Sequence, residues 1–425
     1  MGNIQKLKKK FYFIAAAYFR HFANRSLKRW NPKKIVLTGS AGKTTMLHLL
    51  EFEIGPQAHY SHNANSAFGI SFDILGLDGI RGSKLKWLYL ILAAPLRSLY
   101  YTRREPLYVI EIDGERPHEA EFLANWLKPD ITLWISFGLS HASQFDRVVA
   151  AGEFASLEDA IAHEFSTLPA ATKRTIYIDG DCPKMRELTQ NLSAKVVPVT
   201  HSDLESYTVY PQKTEFKTKD TTFIFNAPEP RDIVTQLLML SPLMKELKLP
   251  LKTDFAGLAM PAGRSNFFHG KNGLKLIDSS YNAHIISTQT ILEMTKSLRA
   301  PHKWLVIGDI VDQGSIEAAE HAKLADLILA ADPEHVVLVG RRTKKYTYPI
   351  LKTRAKFPVK SCADAREALR YLEKSTTGAE TLIFKGSQYL EWIIEKLLAD
   401  PADAKLLPRR ESGAVKRRKA HGLDS

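Results

Sequence analysis

A short loop at residues 38–45 carries residue types that can bind a triphosphate. The surrounding sequence is IVLTGSAGKTT, in which an apolar run is followed by two glycines and a lysine-threonine pair. Backbone N–H groups at a helix start bind anions, and glycine lets the backbone approach phosphates closely. The lysine would neutralise phosphate charge, and the first threonine after it would coordinate Mg²⁺. We therefore predict an ATP site with these loop residues: Gly39, Ser40, Ala41, Gly42, Lys43, Thr44 and Thr45.

The loop departs from the longer phosphate-binding pattern with a glycine at its first position. Leu37 occupies the place of that glycine, so the loop is the shorter G-x-x-G-K-T-T form. Such a string can occur by chance in any loop. Here an apolar run precedes it and a helical pattern follows, and this context favours a strand, a phosphate-binding turn and a helix.

Short β-branched runs alternate with helical periodicity from residue 34 onward. The runs KIVLTG, LYVIEID, ITLWISF and TIYIDG are typical of buried parallel strands. A second series, LKLIDSS, KWLVIGD, HVVLVG and TLIFKGS, begins after Arg264. We predict an α/β protein with a parallel-sheet, P-loop ATPase domain, followed by a smaller Rossmann-like α/β domain. Residues 200–226 predict a hairpin at the domain edge.

These patterns divide the chain into five predicted parts. They are an N-terminal basic and apolar helix, a central ATP-binding domain, a linker, a C-terminal domain and a basic tail, at 1–33, 34–248, 249–262, 263–400 and 401–425.

Composition limits the class of protein. The 425 residues are 44% hydrophobic and 25% charged, as in soluble globular proteins. Two distant cysteines exclude a disulfide framework and a four-cysteine zinc site, and they suit the cytoplasm. The net charge of +13 favours anionic partners, but no pattern of a nucleic-acid-binding fold is present. The basic runs at both ends favour solvated tails.

Two apolar stretches lie beside basic residues, at 11–19 and 85–101. Neither reaches the roughly 20 apolar residues that span a bilayer. We expect both to form helices that pack on the protein's own core. The alternative is peripheral membrane contact through 1–30 and 85–101 by amphipathic helices. We expect a cytoplasmic monomer otherwise.

The loop TGSAGKTT resembles the ATP-binding loop of the Mur ligase family, which joins amino acids or dipeptides to cell-wall precursors. Further strings resemble family motifs in the same order along roughly 34–395. They are HNANSAFG at 62–69, YVIE at 108–111, KPDI at 128–131 with His141, Gly263-Arg264, IDSSYNA at 277–283, GDIVDQG at 308–314 with His321, and KGS at 385–387. Each string is weak alone, but their joint order is specific. The last three point towards the family member that adds D-alanyl-D-alanine.

The resemblance implies a fold, a reaction and cofactors. The reaction would form an amide bond, with ATP and Mg²⁺ converting a muramoyl peptide carboxylate to an acyl phosphate that an amine attacks. Thr44, Glu111 and His141 would be the metal ligands. The implied partners are small molecules, namely ATP, a muramoyl peptide, and D-alanyl-D-alanine or a similar amine.

The resemblance also assigns roles outside the metal set. Lys43, His141 and Arg264 would act in catalysis, with Arg264 contacting phosphate. Asp278 would contact the ribose and Asn282 the adenine.

Two departures from the family pattern leave alternatives open. The family places a carbamylated lysine in a helix where this chain has Phe165, which cannot bind a cation. Only 1–33 precedes the ATP-loop strand, too short a segment for the separate domain that binds uridine diphosphate. We therefore keep two alternatives: a Mur-like ligase or amidating subunit acting on a lipid-linked precursor, and a nucleotide-binding protein with little ligase activity.

Overall fold

The protein is described by a computed structural model. It describes residues 2–423 with short gaps, and for 2–10, 84–85 and 142–143 it describes the backbone alone. The gaps are Asn63, 80–83, Glu115, 139–141, Ala259, Asn282, Asp312 and 314–315.

The chain folds as two compact units. Unit 1 contains Met1–Asp203 and Thr235–Lys252, and unit 2 contains Leu204–Val234 and Thr253–Ser425. The N-terminal helix therefore belongs to unit 1.

The division differs from the predicted central domain, 34–248, in the segment 204–234. This segment belongs to unit 2, and its Val209 forms a β-bridge with Leu298 of the same unit. The predicted hairpin at 200–226 is a three-stranded antiparallel sheet, because a third strand pairs with the second.

Unit 1 is built on a six-stranded parallel sheet. Its strands are β1 (Lys33–Thr38), β2 (Ala58–Tyr60), β3 (Leu107–Glu111), β4 (Ile131–Trp134), β5 (Thr175–Asp179) and β6 (Lys195–Val199). They lie in the order β2-β3-β1-β4-β5-β6, and each neighbouring pair is parallel. The parallel order places the carboxyl ends of β1, β3 and β4 at one sheet edge, which is where ligands bind in such sheets.

Helices connect and cover these strands. They are α1 (Gly2–Trp30), α2 (Lys43–Ile54), α3 (Ala67–Leu75), α4 (Lys84–Tyr100), α5 (Glu119–Leu127), α6 (Ala142–Ala150), α7 (Leu157–Ala170), α8 (Pro183–Thr189) and α9 (Val234–Leu247). The prediction that the first apolar stretch packs on the core is confirmed for one face of α1. That face buries Ala16, Phe19, Ala23, Leu27 and Trp30 in the same cluster as side chains of α3, α4 and β3.

Unit 2 contains the small antiparallel sheet and a second six-stranded sheet. The strands are β7 (Leu204–Tyr210), β8 (Lys213–Thr218), β9 (Thr222–Phe225), β10 (Asn266–His269), β11 (Lys275–Ser279), β12 (Lys303–Gly308), β13 (His335–Val339), β14 (Val359–Cys362) and β15 (Thr381–Lys385). The larger sheet has the order β10-β11-β15-β12-β13-β14. It is parallel except for β10, which pairs antiparallel with β11.

The helices of unit 2 are α10 (Ile285–Ser297), α11 (Glu317–Ala331), α12 (Tyr348–Arg354), α13 (Ala365–Ser375), α14 (Leu390–Leu397) and α15 (Ser412–Ala420). Short 3₁₀ helices occupy Gly55–Gln57, His201–Asp203, Arg231–Ile233, Lys271–Gly273 and Pro401–Leu406, and a π-helical turn occupies Thr343–Thr347. The predicted mixed α/β class with parallel sheets is confirmed in both units.

The basic C-terminal segment is not the solvated tail that the sequence suggests. Arg418 is buried, and its guanidinium lies 2.8 Å from a carboxylate oxygen of Glu395 on α14. Arg410 pairs with the same carboxylate at 2.6 Å. Leu423 is also buried, in the core of unit 2. The like charges are accommodated because acidic residues of α14 face them.

Candidate active site

The predicted phosphate-binding loop joins β1 to α2 at the carboxyl edge of the first sheet. Gly39 and Gly42 have φ of +131° and +81°, a region that side chains rarely adopt. A Cβ atom on Gly39 would lie 2.7 Å from the Ser136 carbonyl oxygen, and one on Gly42 would lie 2.2 Å from Gln236 Nε2. Both glycines are therefore favoured by conformation, and Gly39 is also required by space, because its neighbour is backbone.

Helix α2 begins at Lys43, immediately after the loop. Its N-cap residue is Gly42, which makes no side-chain cap hydrogen bond. The first N–H groups of a helix have no partner within the helix, and the dipole gives them partial positive charge. The helix start thus has the backbone arrangement that binds phosphate oxygens.

Lys43 is held against the loop. Its side chain is 10% exposed, and Nζ donates to the Gly39 carbonyl oxygen at 2.6 Å. The same ammonium lies 3.3 Å from Asp113 Oδ1, beyond the end of β3. The cation is therefore fixed over the loop, where it can neutralise a bound anion.

Thr44 and Glu111 form the candidate metal site. Thr44 Oγ1 donates to Glu111 Oε1 at 2.9 Å. Glu111 ends β3, in register with Leu37 of β1, and its backbone N–H donates to Ser61 Oγ at 2.9 Å. Hydroxyl and carboxylate oxygens are the ligands that Mg²⁺ prefers. The donor set therefore fits the predicted ion.

The loop has partners that the sequence motifs did not indicate. Ser136, which follows β4, accepts the Ala41 N–H at Oγ (2.8 Å) and the Ser40 N–H at its carbonyl oxygen (3.2 Å). Gln236 of α9 donates through Nε2 to the Gly42 carbonyl oxygen at 3.4 Å. The one sequence signal for Ser136 is its place after a strand neighbouring β1.

Asp113 is also a site residue that motif matching missed. Besides its ion pair with Lys43, it accepts a hydrogen bond from Asn65 Nδ2. Asn65 belongs to the predicted asparagine-rich segment, so this segment is tied to the loop through Asp113 and Lys43. Asp113 lies two residues after Glu111, at the same strand end, and this position is the sequence signal that could have identified it.

Phe165 lies in apolar surroundings. It is 3% exposed within a cluster that includes Trp134, Phe145 and Ile161, and its ring is 3.5 Å from a Cβ built on Gly114. The Phe165 ring therefore lies beside the segment that follows β3, and its carbon atoms cannot coordinate a metal ion. The expectation that Phe165 cannot replace a metal-bridging lysine agrees with this packing.

Glu164 does not substitute for the lysine either. Its carboxylate accepts the His118 N–H at 2.7 Å and the Ala120 N–H, at the start of α5. Burial raises the pKa of the Glu164 carboxyl to about 7, although these two hydrogen bonds oppose the shift. Its oxygens are thus directed to α5 and act as a helix cap.

Two predicted site residues lie outside the described part of the chain. His141, a predicted metal ligand and catalytic residue, falls in the gap 139–141, and Asn282, the predicted adenine contact, is also outside the described residues. Both stay predictions.

Two other groups of possible metal ligands lie on the surface of unit 1. In each, three ligand atoms lie within 4.8 Å of one another, in the sets His118, Glu121, His163 and Asp179, Asp181, His201. The ring nitrogens of His118 already lie beside Glu121 (3.3 Å) and Glu153 (3.1 Å). We interpret these groups as surface ion pairs.

Unit 2 gathers three of the predicted motifs at its sheet. Asp278 of β11 is fully buried; its Oδ1 accepts the Ser280 N–H at 2.9 Å, and burial raises its pKa to about 6. Asp278 Oδ2 has no hydrogen-bond partner among the described residues. Lys385 ends β15, the neighbouring strand, and burial together with the charge of Arg264 lowers its pKa to about 7.

Arg264 follows Gly263, whose φ is +74°. Its guanidinium lies 5.6 Å from the ring centroid of Tyr281, which is itself half exposed. The Arg264 N–H donates to Asn266 Oδ1 at 3.0 Å. The structure therefore places Arg264 with Asp278 and Lys385 in one electrostatic neighbourhood of unit 2.

Asp309 and His321, from the GDIVDQG motif and its histidine, are structural residues here. Buried Asp309 accepts the Thr343 N–H at 2.8 Å and Gln388 Nε2 at 2.9 Å. His321 is fully buried, with Ile310 N–H donating to Nε2 at 3.3 Å and Nδ1 beside the Glu317 carbonyl oxygen at 2.8 Å. These bonds fix the loops that follow β12 and β13.

Comparison with known proteins identifies the C-terminal part. Residues 263–388 match the family profile described as Mur ligase, glutamate ligase domain. This part of the chain is a Mur ligase domain. This match and the similarities below support an ATP-dependent ligase of the Mur type.

Similarity to known proteins extends beyond the Mur ligase domain at low identity. The chain is 22% identical over 394 residues to the UDP-N-acetylmuramoyl-tripeptide–D-alanyl-D-alanine ligase of Bacillus subtilis (strain 168), covering 90% of this chain and 79% of that protein. A stretch of 152 residues is 29% identical to the enzyme of the same name from Rickettsia prowazekii (strain Madrid E), covering 36% of this chain and 33% of that protein.

Solved structures share the fold. The MurF ligase of Thermotoga maritima, in complex with ADP, superposes with a TM-score of 0.70 at 18% identity, over 89% of this chain and 82% of that chain. MurF of Acinetobacter baumannii gives a TM-score of 0.67 at 19% identity, over 90% and 80%. The expectation that a whole N-terminal domain is lacking is not borne out, because these alignments run over most of the relatives' length.

The two glycines at the ends of α2 allow a matched test of the loop. Gly42→Ala adds a Cβ at φ +81° where Gln236 Nε2 is 2.2 Å away, whereas Gly55→Ala adds one at φ +60° with nothing within 4 Å. We expect Gly42→Ala to weaken nucleotide binding at least tenfold, about 1.4 kcal/mol, and Gly55→Ala to leave it unchanged. Calorimetric titration with ATP and Mg²⁺ measures both. Equal affinities of the two variants would contradict this account of the loop.

Buried Lys385 predicts a pH-dependent stability. Its pKa is lowered to about 7 in the folded protein, from an ordinary value of 10.5. Between these pH values the unfolded chain holds a proton that the folded chain lacks, so the free energy of unfolding rises with pH, by up to about 1.4 kcal/mol per pH unit. Lys385→Met removes this contribution, so its slope from pH 7 to pH 9 should be smaller than that of the wild type.

Urea unfolding at several pH values measures these slopes. Lys275→Met is the control and should keep the wild-type slope. Lys275 begins β11, whereas Lys385 is in register with Ser279 at the other end of that strand. Identical slopes for the wild type and Lys385→Met would show that Lys385 is not buried in its neutral form.

Proposed function

We propose that this protein is an ATP-dependent ligase that joins a muramoyl peptide carboxylate to D-alanyl-D-alanine or a similar amine. The observation that carries the proposal is the grouping of Lys43, Thr44 and Glu111 at the carboxyl edge of the first sheet. The Mur ligase domain at 263–388 and the named activity of the relatives support the substrate class.

Unit 1 supplies the groups that the nucleotide needs. The N–H groups at the start of α2 and the Lys43 ammonium would bind the phosphates of ATP. Thr44 and Glu111 would hold Mg²⁺, together with His141 as a predicted ligand. Bound Mg²⁺ supplies positive charge that stabilises the negative charge of phosphoryl transfer.

The proposed reaction balances without a protein nucleophile. A carboxylate oxygen of the peptide forms a bond to the γ-phosphorus, and the bond between that phosphorus and the ADP oxygen breaks. The free amine then attacks the acyl carbon, and inorganic phosphate leaves with the original carboxylate oxygen. The amine's proton passes to solvent or to a basic group. Such chemistry requires positioned cations and dipoles more than a nucleophilic side chain.

Unit 2 would contribute nucleotide contacts of its own. Asp278 Oδ2 is a buried acceptor without a described partner, which suits a hydroxyl donor such as a ribose hydroxyl. Arg264 would contact a phosphate, as the family resemblance suggests. Asn282 remains the proposed adenine contact.

A second candidate function is nucleotide binding without ligase activity. The apolar environment of Phe165 favours it, because a metal-bridging group is absent from that position. A ligase consumes ATP only when both the peptide and the amine are present. A nucleotide-binding protein without ligase activity binds ATP but shows no such dependence.

Substitution of Lys43 tests the proposal. The wild type should release phosphate from ATP only when a muramoyl tripeptide and D-alanyl-D-alanine are both added, with a ligated product in equal amount. Lys43→Ala removes the cation at the loop, so we expect a loss of turnover of at least 100-fold, about 2.7 kcal/mol of transition-state stabilisation. Lys195→Ala, at an exposed position of the same unit, should retain full turnover.

The outcomes separate the candidates. Tight ATP binding with no dependence on peptide and amine would favour the nucleotide-binding function. Full turnover of Lys43→Ala would contradict the assignment of the loop.

A further inference from the structure

Helices α1 and α4 expose large apolar side chains to solvent. Ten of the fifteen large hydrophobic residues that are exposed in the described part of the chain lie on these two helices. They are Phe11, Ile14, Tyr18, Leu88, Tyr89, Ile91, Leu92, Leu96, Leu99 and Tyr100, with exposures of 37–71%. We call this set the α1–α4 face. Contiguous apolar patches above a few hundred Å² are uncommon on monomeric soluble proteins and mark interaction sites.

The exposed residues of each helix form a stripe. On α4 Leu88, Leu92, Leu96 and Leu99 recur at helical spacing, while Leu90 and Ala94 point into the core. On α1 the exposed positions Phe11, Ile14 and Tyr18 have the same spacing. The helices are therefore apolar on their solvent side as well as on their core side.

The two stripes adjoin. The Tyr18 hydroxyl donates to the Ile91 carbonyl oxygen at 2.8 Å, and farther along Ser26 Oγ donates to the Tyr101 carbonyl oxygen at 3.1 Å. The earlier residue of α1 contacts the earlier residue of the α4 region and the later contacts the later, so the two helices run side by side in the same direction. The α1–α4 face is thus one surface made by two helices.

The two helices that form this face carry charge of one sign. The sequences of α1 and α4 contain eight and three lysines and arginines, respectively, and no aspartate or glutamate. Beyond the apolar stripe of α1, its solvent side continues with Arg25 and Lys28, and no described carboxylate forms an ion pair with either. An anionic surface complements this combination of apolar and basic groups.

We propose that the α1–α4 face docks the protein onto the surface of an anionic lipid bilayer. No helix in the described residues has the length and apolarity needed to cross a bilayer. The helices would lie in the interface, with their leucines among the acyl chains and the basic groups near lipid phosphates. Tyr18, Tyr89 and Tyr100 have the amphipathic rings that favour this depth. The docking is independent of the proposed ligase activity.

Vesicle co-sedimentation of the full chain tests the proposal. We expect the wild type to bind vesicles of phosphatidylcholine with phosphatidylglycerol, and to bind pure phosphatidylcholine much more weakly. Leu92→Glu/Leu96→Glu places carboxylates on the face and should lower the apparent affinity roughly tenfold or more. Arg25→Gln/Lys28→Gln should lower binding to the anionic vesicles selectively, and added salt should do the same.

The control variant carries the same changes on another surface. Leu406→Glu/Ile286→Glu alters residues of unit 2 that are 51% and 50% exposed, and should bind vesicles like the wild type. Circular dichroism and thermal unfolding check that each variant is folded, and Leu92→Ser/Leu96→Ser replaces the glutamate variant if that one is not. Unchanged binding of the folded α4 variant, or no binding of the wild type, would overturn the proposal. A dimer that the α4 variant disrupts, without vesicle binding, would assign the face to a second copy and also overturn it.

Discussion

The hydrogen bond from Thr44 to Glu111 depends on two adjacent parallel strands ending at the same height. Glu111 is in register with Leu37, the residue before the last of β1, so the turn into α2 brings Thr44 back over the end of β3. The same alignment brings Asp113 to Lys43 and Ser136 to the loop backbone. The proposed nucleotide site in unit 1 thus depends on strand order and register, and the glycines at 39 and 42 permit the close approach that this geometry requires.

Charge burial distinguishes the second unit. Asp278 and Lys385 lie on neighbouring strands. Burial raises the pKa of Asp278 and lowers that of Lys385, and each shift favours the neutral form. Buried ionisable groups with shifted pKa values are typical of functional sites, although structural networks also contain them. Here the acceptor oxygen of Asp278 without a described partner favours a ligand, whereas the fully bonded Asp309 and His321 favour a structural role.

The sequence predicted what is encoded locally. The glycine turn between β1 and α2, the buried strands around it and Glu111 at a strand end all follow from runs of adjacent residues, and the structure has them. Ser136, Asp113 and Gln236 were missed because their roles arise from contacts between separate elements, which no local pattern specifies. The C-terminal basic segment was mispredicted for the same reason: its arginines pair with acidic residues of α14, which are distant in sequence. The sequence alone identifies Phe165 as an exception to the family pattern, whereas the capping of α5 by Glu164 is visible only in the packing of the two helices.

Transfer of labelled oxygen tests the proposed carboxylate activation most directly. A muramoyl tripeptide carrying ¹⁸O in the reacting carboxylate would be ligated in unlabelled water, and the released phosphate analysed by mass spectrometry. Activation by ATP predicts one ¹⁸O atom in the phosphate for each amide bond formed, since the carboxylate oxygen leaves with phosphorus. Phosphate without ¹⁸O, released at the rate of ligation, would contradict the account, because ATP would then be hydrolysed by water and not by the substrate carboxylate.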